Sequence, residues 1–252
     1  MSARIVKSAD DRRIELLDTA LRLFLTHGYE RVAVQDITDA VGVAKGTFYH
    51  YFVSKADLLA QVCEWQVGLQ LERVEKALAQ TSGDAVARLR AVVNLLWGWK
   101  RDNPEIAETY SRVLSTDENQ ALRLKLQESY ARFHPLLSGI VAQGKAEGLF
   151  DVADPAWATE AVMWMWSGLA EWMMPRLVAP ADDVAAAVDE LIESSRAAEL
   201  ACERILGAAE GSLRLNDYGE LHTWLLALVA ALQEPAAAAR GQVLTPLRAA
   251  RR

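Results

Sequence analysis

Cysteine is scarce in this chain, as are the residues that interrupt helices. The two cysteines, Cys63 and Cys202, lie far apart and lack metal-type spacing, which argues against a disulfide framework or a zinc site. The 252 residues include only 7 prolines and 14 glycines, mostly between helical segments. No apolar run would span a bilayer, and the first residues lack the apolar stretch of a signal peptide. We expect a cytoplasmic protein with free thiols, no membrane contact and no cofactor or metal.

Catalytic signatures are missing as well. The chain has no Gly-rich phosphate loop and no nucleophile elbow, and its four histidines are scattered without ligand spacing, so we do not expect an enzyme. Residues 1–60 hold eight basic and eight acidic side chains, so the rest of the chain carries the whole net charge of −7. Because the acidic residues 61–252 repel DNA phosphates, DNA could bind only at the neutral N-terminal part.

Apolar residues recur at helical spacing almost throughout, and no segment alternates with period two. The pattern predicts an all-α fold, with a small helical domain over residues 10–55, a larger one over residues 56–233 and a disordered tail over residues 234–252. A helix interrupted at Pro135 should run to about Gly148. The other predicted helices lie at about 12–27, 34–41 and 45–52, from Ser54 onward, from Val86 to Asp102, at 106–113, from Pro155 to just before Pro175, at 182–206 and at 217–232.

Residues 34–55, VQDITDAVGVAKGTFYHYFVSK, form the most informative segment. Gly42 falls in a turn that favours positive φ, and Phe48 and Phe52, four residues apart, should lock the second short helix onto the first. An aromatic run of this kind is often mere core packing, but the glycine turn and the helix lengths favour a helix-turn-helix. The side chains left pointing outward, suited to base edges and phosphates, are Lys45, Gly46, Thr47, Tyr49 and His50.

With these residues the chain resembles the TetR family of bacterial regulators, most specifically in GVAKGTFYHYFVSKADLL, over roughly residues 10–60. The resemblance implies a homodimeric repressor that binds a palindromic double-stranded DNA operator and is released by a small effector. It implies base and phosphate contacts for Lys45, Thr47, Tyr49 and His50, and phosphate contacts for Tyr51 and Lys55. Two positions depart from the family pattern, because Ala33 and Ala44 stand where Ser or Thr commonly caps a helix.

The predicted helix beginning at Pro155 is apolar on two opposite sides. Trp157, Ala161, Trp164 and Gly168 share one face, and Val162, Trp166, Leu169 and Met173 share the other. A helix of this kind needs two covers, such as a core and a second subunit. We expect the dimer seam on residues 155–174 and 182–206, where the family has it, with residues 217–232 as a possible third contributor.

All eight tryptophans lie beyond residue 60, which suggests an aromatic-lined pocket for an apolar or amphipathic effector. Its candidate residues are Trp97, His134, Trp164, Ser167 and Glu171. The stripe of Glu160, Trp164, Ser167 and Glu171 would suit a lipophilic cation if it faced inward, and would be a solvated edge if it faced outward. Two alternatives stay open: a regulator of this fold controlled by a partner protein, and a helical-bundle enzyme or carrier.

Overall fold

The computed structural model describes residues 8–102 and 120–233. Within these ranges the chain is helical and contains no strand, and none of the described helices is long and apolar enough to cross a membrane. The predicted helix at 106–113 and the predicted tail from 234 lie outside the described residues. The helices are α1 (Ala9–His27), α2 (Val34–Val41), α3 (Lys45–Tyr51), α4 (Lys55–Gln80), α5 (Ala85–Asp102), α6 (Gln120–Tyr130), α7 (His134–Ala146), α8 (Pro155–Val178), α9 (Val184–Leu206) and α10 (Tyr218–Gln233).

Helix α1 begins three residues earlier than its apolar spacing indicates. The Ser8 hydroxyl accepts a hydrogen bond from the backbone N–H of Asp11 at 3.0 Å and so caps the helix. Helix α4 begins as predicted, because Ser54 accepts from the N–H of Asp57 and the Asp57 carboxylate accepts from the N–H of Val53, both at 3.0 Å. Such reciprocal pairing fixes the start of a helix.

Three buried clusters stabilise the fold. The first, which we call the head core, draws its members from α1, α2, α3, the turns that follow α1 and α3, and the first third of α4, together with Leu126 of α6. The second joins the rest of α4 to α5, α7 and the C-terminal end of α9, and it forms the main core of the body. The third lies between α8, α9 and α10. Helix α4 belongs to the first two clusters, so it connects helices α1–α3, which we call the head, to helices α5–α10, which we call the body.

The two prolines for which breaks were predicted behave differently. The break at Pro135 is confirmed, because α6 ends at Tyr130, a 3₁₀ turn follows, and Pro135 sits in the first turn of α7, where its missing N–H costs nothing. The predicted end before Pro175 is wrong, because α8 continues to Val178. Met173 and Leu177, four residues apart, are both buried in the third cluster, and this packing holds the last turn in place.

Two buried carboxylates hold the loop between α9 and α10. Glu203 accepts hydrogen bonds from the backbone N–H groups of Gly211 at 2.9 Å and Leu213 at 3.0 Å. One turn earlier, Glu199 accepts from the N–H of Leu215 at 3.2 Å and from the Tyr218 hydroxyl at 2.7 Å. The loop is therefore fixed along its length to α9, and it delivers α10 onto the third cluster.

Candidate DNA-binding surface

The turn between α2 and α3 depends on Gly42. Its φ is +73° and its ψ is +39°, so the expected positive φ is confirmed. This conformation lets the N–H of Val43 reach the Thr38 carbonyl at 2.9 Å and closes the C-terminal end of α2. The turn thus sets the angle at which α3 leaves α2.

Replacing Gly42 with alanine should lower the free energy of unfolding by about 1–2 kcal/mol, the cost of a left-handed conformation in a residue with a Cβ. The space around that Cβ is open, so no steric clash adds to the cost. Urea unfolding measures the change. Gly139→Ala is the control, because Gly139 lies within α7, has open space around it and carries no positive φ. A Gly42 variant as stable as the wild type would contradict the assigned role of the turn.

Helix α3 is held by its aromatic side. Phe48 and Phe52 are both fully buried, with ring centroids 5.4 Å apart, and they pack in the head core beside the fully buried Ile37. The prediction that these two rings lock α3 onto α2 is confirmed. With one side held, the opposite side of α3 is presented to solvent on a rigid support.

The solvent side of α3 contains the residues predicted to contact DNA. Lys45, Gly46 and His50 are exposed, and Tyr49 is 52% exposed while its ring edge rests against Phe48. Thr47 and Tyr51 are partly buried. The structure therefore brings a cation, a small residue, an aromatic ring and an imidazole together at one surface, which has the donors and apolar contacts that the major groove accepts.

Val53 extends this surface, although the sequence pattern did not single it out. It occupies the turn between α3 and α4 and is 83% exposed, the largest exposure among the big apolar side chains of the described residues. Its backbone N–H is fixed by Asp57. The sequence offers no clear signal for this exposure, because an apolar residue directly before a capping Ser often packs against the helix that follows.

The two helices that form the motif start without side-chain caps, as Ala33 and Ala44 predict. In α2 the carboxylate of Asp36 accepts a hydrogen bond from the N–H of Ala33 at 2.7 Å. This bond runs from within the first turn back to the residue before the helix and stabilises that turn. Its negative charge at the helix N-terminus is also favourable. Helix α2 thus keeps one half of a reciprocal cap.

Lys55 has contacts that its expected phosphate role did not anticipate. Its ammonium group lies 4.3 Å from the centre of the Tyr29 ring and donates to three backbone carbonyls of the turn between α1 and α2. The distances are 3.0 Å to Tyr29, 3.2 Å to Val32 and 3.5 Å to Glu30. An ammonium has three donors, and here all three are directed at protein carbonyls. In this conformation Lys55 links the start of α4 to the α1–α2 turn and so stabilises the helices that carry α3.

Three of the residues predicted to line an effector pocket lie on one exposed stripe of α8. Trp164, Ser167 and Glu171 are exposed on α8, with Trp164 62% exposed, so this stripe faces outward. Partly buried His134 lies 3.5 Å from the Glu160 carboxylate. The side chain of Trp97 lies outside the described residues. Among the described residues of a single chain, the stripe is a surface feature.

Both cysteines are buried. Burial raises the pKa of the Cys63 thiol and of the Cys202 thiol to about 12. A thiol that stays protonated at neutral pH reacts slowly with oxidants and alkylating reagents. Cys63 packs in the head core and Cys202 in the main core of the body.

The chain matches two family models along most of its folded length. The model of bacterial regulatory proteins of the tetR family matches residues 16–62, which include the whole of α2 and α3. The model of the tetracyclin repressor-like C-terminal domain matches residues 82–200.

Individual relatives carry regulatory names. The chain is 25% identical over 143 residues to the fatty acid metabolism regulator protein of Bacillus subtilis, which covers 57% of this chain and 73% of the relative. It is 37% identical over 84 residues to the transcriptional activator FasR of Mycolicibacterium smegmatis, covering 33% of this chain and 38% of the relative.

Solved structures share the fold. The fatty acid degradation regulator FadR of Bacillus halodurans superimposes with a TM-score of 0.55 at 21% identity, covering 81% of this chain and 98% of that one. FadR of Bacillus subtilis, in complex with stearoyl-CoA, gives the same TM-score and identity over 78% of this chain and 99% of that one.

Proposed function

This chain belongs to the TetR family of bacterial transcriptional regulators, and we propose that it is a homodimeric repressor that reads a palindromic operator through α3. The observation that carries the proposal is the solvent side of α3, where Lys45, Tyr49 and His50 project from a helix held rigidly by Phe48 and Phe52. One helix of this length covers few base pairs, so two copies about one DNA turn apart supply the specificity.

The experiment starts from a pool of random duplexes, because the operator sequence is unknown. Repeated selection with the full-length protein should enrich a palindrome, and fluorescence anisotropy should then give an affinity about 10³-fold or more above that for random DNA. Enrichment of no sequence would contradict the proposal. Enrichment of a site without two-fold symmetry would contradict the homodimer.

The outer face of α8 supports a second copy as partner. Trp157 is 67% exposed and Trp164 is 62% exposed, and they share this face with Ala161 and Gly168. The opposite face of α8 packs against the body, with Val162 and Trp166 in the second cluster. Two exposed indoles separated by small residues offer a surface that another helix can approach closely, and interface cores are enriched in such aromatic residues.

We expect Trp164→Glu to shift the dimer toward monomer. Truncation or charging of a central aromatic residue typically costs about 2 kcal/mol or more, so the dimer dissociation constant should rise roughly 30-fold or more. Sedimentation equilibrium measures the change. Leu149→Glu is the control, because Leu149 is also an exposed large apolar residue but lies between α7 and α8, off this face. Equal dissociation of both variants, or of neither, would contradict the assigned seam.

We propose that the effector is an amphipathic molecule with a long apolar chain. The relatives support this class, since one is named a fatty acid metabolism regulator and the FadR structure from Bacillus subtilis is in complex with stearoyl-CoA. The outward direction of the α8 stripe gives a lipophilic cation less support. Release would follow from a population shift, in which the ligand favours a head separation that does not fit the groove.

Tryptophan fluorescence and operator anisotropy together test the effector class. Long-chain acyl-CoA thioesters should change the fluorescence and release the operator at micromolar concentration, whereas free CoA, lacking the chain, should do neither. Lipophilic cations serve as the competing class. If every compound in a broad panel leaves both signals unchanged, control by a partner protein becomes the better account.

A further inference from the structure

A short segment of the body, residues 126–132, packs against α4 next to the head. Leu126 of α6 is 8% exposed and packs in the head core, whose other buried members all come from residues 16–63 of the described chain. Helix α6 packs along α4, and the partly buried Trp65 lies against the same cluster. The head therefore rests on α6 as well as on its own helices.

Tyr130, at the last residue of α6, links the two cores. It packs against the head core and against the main core of the body, and its ring stacks on Phe133 with centroids 6.0 Å apart. The 3₁₀ turn begins immediately after it, so α6 ends at the residue that contacts both cores.

Arg132, in that turn, packs its guanidinium against a glycine of α4. Its Nη1 donates to the backbone carbonyl of Glu64 at 3.0 Å, the carbonyl that also accepts the helical N–H of Gly68. A Cβ built on Gly68 would lie 3.3 Å from the same Nη1, which is closer than ordinary contact. The guanidinium thus occupies the space left by the missing side chain and anchors the turn to the middle of α4.

We propose that Arg132, seated over Gly68 and supported by Leu126 and Tyr130, is a positioning residue for DNA binding: it fixes α4, and with it the head, at the angle that suits the operator. The proposal rests on the proposed function. Arg132 acts through α4 and does not touch DNA. When its contact is lost, the head samples a wider range of positions, and the apparent operator affinity falls with the fraction in the competent position.

Gly68→Ala is the most informative variant, because it raises the helix propensity of α4 while crowding the guanidinium. We expect it to weaken operator binding roughly 2- to 30-fold, the range of couplings carried by residues that contact no ligand. Arg132→Ala should weaken binding similarly, and Arg132→Lys should recover part of the loss through a cation that still reaches the carbonyl. Gly139→Ala, in open space on α7, should leave binding unchanged.

The double variant Gly68→Ala with Arg132→Ala separates positioning from simple destabilisation. Once the guanidinium is gone, the added methyl has nothing to crowd, so the double variant should bind as Arg132→Ala does. Additive losses would contradict the proposal. Thermal unfolding of Gly68→Ala should occur no lower than that of the wild type, which keeps the test valid even if Arg132→Ala folds poorly.

A distance measurement decides the matter without DNA. Spin labels on cysteines introduced at exposed Ala40 of α2 and exposed Ala142 of α7 report the head–body distance within one chain, in samples diluted with unlabelled protein. The buried native thiols should stay unlabelled. We expect a broader or displaced distribution in Gly68→Ala. If wild type and variant give the same distribution and the same affinity, the proposal is wrong. If the wild type binds no DNA, the proposed function fails and the distance distribution alone tests the positioning role.

Discussion

Replacing Lys45 and Tyr49 together with alanine should weaken operator binding by about 2–6 kcal/mol, the sum of two contacts that each contribute about 1–3 kcal/mol. Both side chains are exposed on the surface of α3, and neither belongs to the head core that folds the motif. The loss should therefore appear in affinity and sequence preference, while thermal stability stays close to that of the wild type. Anisotropy with the selected operator and with a scrambled duplex measures both effects.

A charge-matched control separates base recognition from general electrostatic attraction to the DNA phosphates. Lys76 is exposed near the C-terminal end of α4, far along the helix from the head, so Lys76→Ala removes one positive charge without touching the surface of α3. It should change operator affinity by less than about 0.5 kcal/mol. Unchanged operator binding in the Lys45 and Tyr49 double variant would show that α3 does not recognise the operator sequence.

Glu203→Ala should lower the free energy of unfolding by about 2–4 kcal/mol, because it leaves two loop N–H groups without their charged acceptor. Glu203 is 3% exposed, and Leu213, which donates to it, is fully buried, so water is poorly placed to replace the carboxylate. In Glu203→Gln one side-chain oxygen still accepts a hydrogen bond, but the amide NH₂ group faces the other loop N–H. We therefore expect the free energy of unfolding to fall by about half as much as in Glu203→Ala.

Urea unfolding followed by circular dichroism measures this effect, and Glu210→Ala provides the control. Glu210 lies in the same loop but is exposed, so its removal should change stability by less than about 0.5 kcal/mol. Equal stability of the Glu203 and Glu210 variants would show that the loop bonds do not hold α10. A loss confined to Glu203→Ala supports the assigned role.

The parts of the fold set by neighbouring residues were predictable from the sequence. Gly42 marks a turn because a left-handed residue favours glycine, and the spacing of Phe48 and Phe52 determines which side of α3 is buried. Once the buried side of α3 is known, its exposed side, which is the candidate DNA-binding surface, is known as well. The break at Pro135 follows from the missing N–H.

Features that depend on distant parts of the chain were not predictable. The carbonyls that receive Lys55 belong to a turn more than 20 residues earlier, and no local pattern announces them. Glu199 and Glu203, four residues apart on a helix, look like a solvated face until the loop folds over them. Pro175 remains helical where its neighbours Met173 and Leu177 are buried in the third cluster, among side chains of α9 and α10. Likewise, the sequence alone does not say whether the α8 stripe of Glu160, Trp164, Ser167 and Glu171 faces the protein interior or the solvent.

The most direct test of the central claim is to locate α3 on DNA by affinity cleavage. An iron–EDTA group attached to Ala44→Cys, at the start of α3, should cut the selected operator at two positions related by its two-fold axis, within the major groove of each half-site. The buried native cysteines should leave the label at the introduced thiol. The same group on Leu149→Cys, on the body, should produce no localised cutting. Cutting from Leu149 but not from Ala44, or uniform cutting from both, would contradict the account.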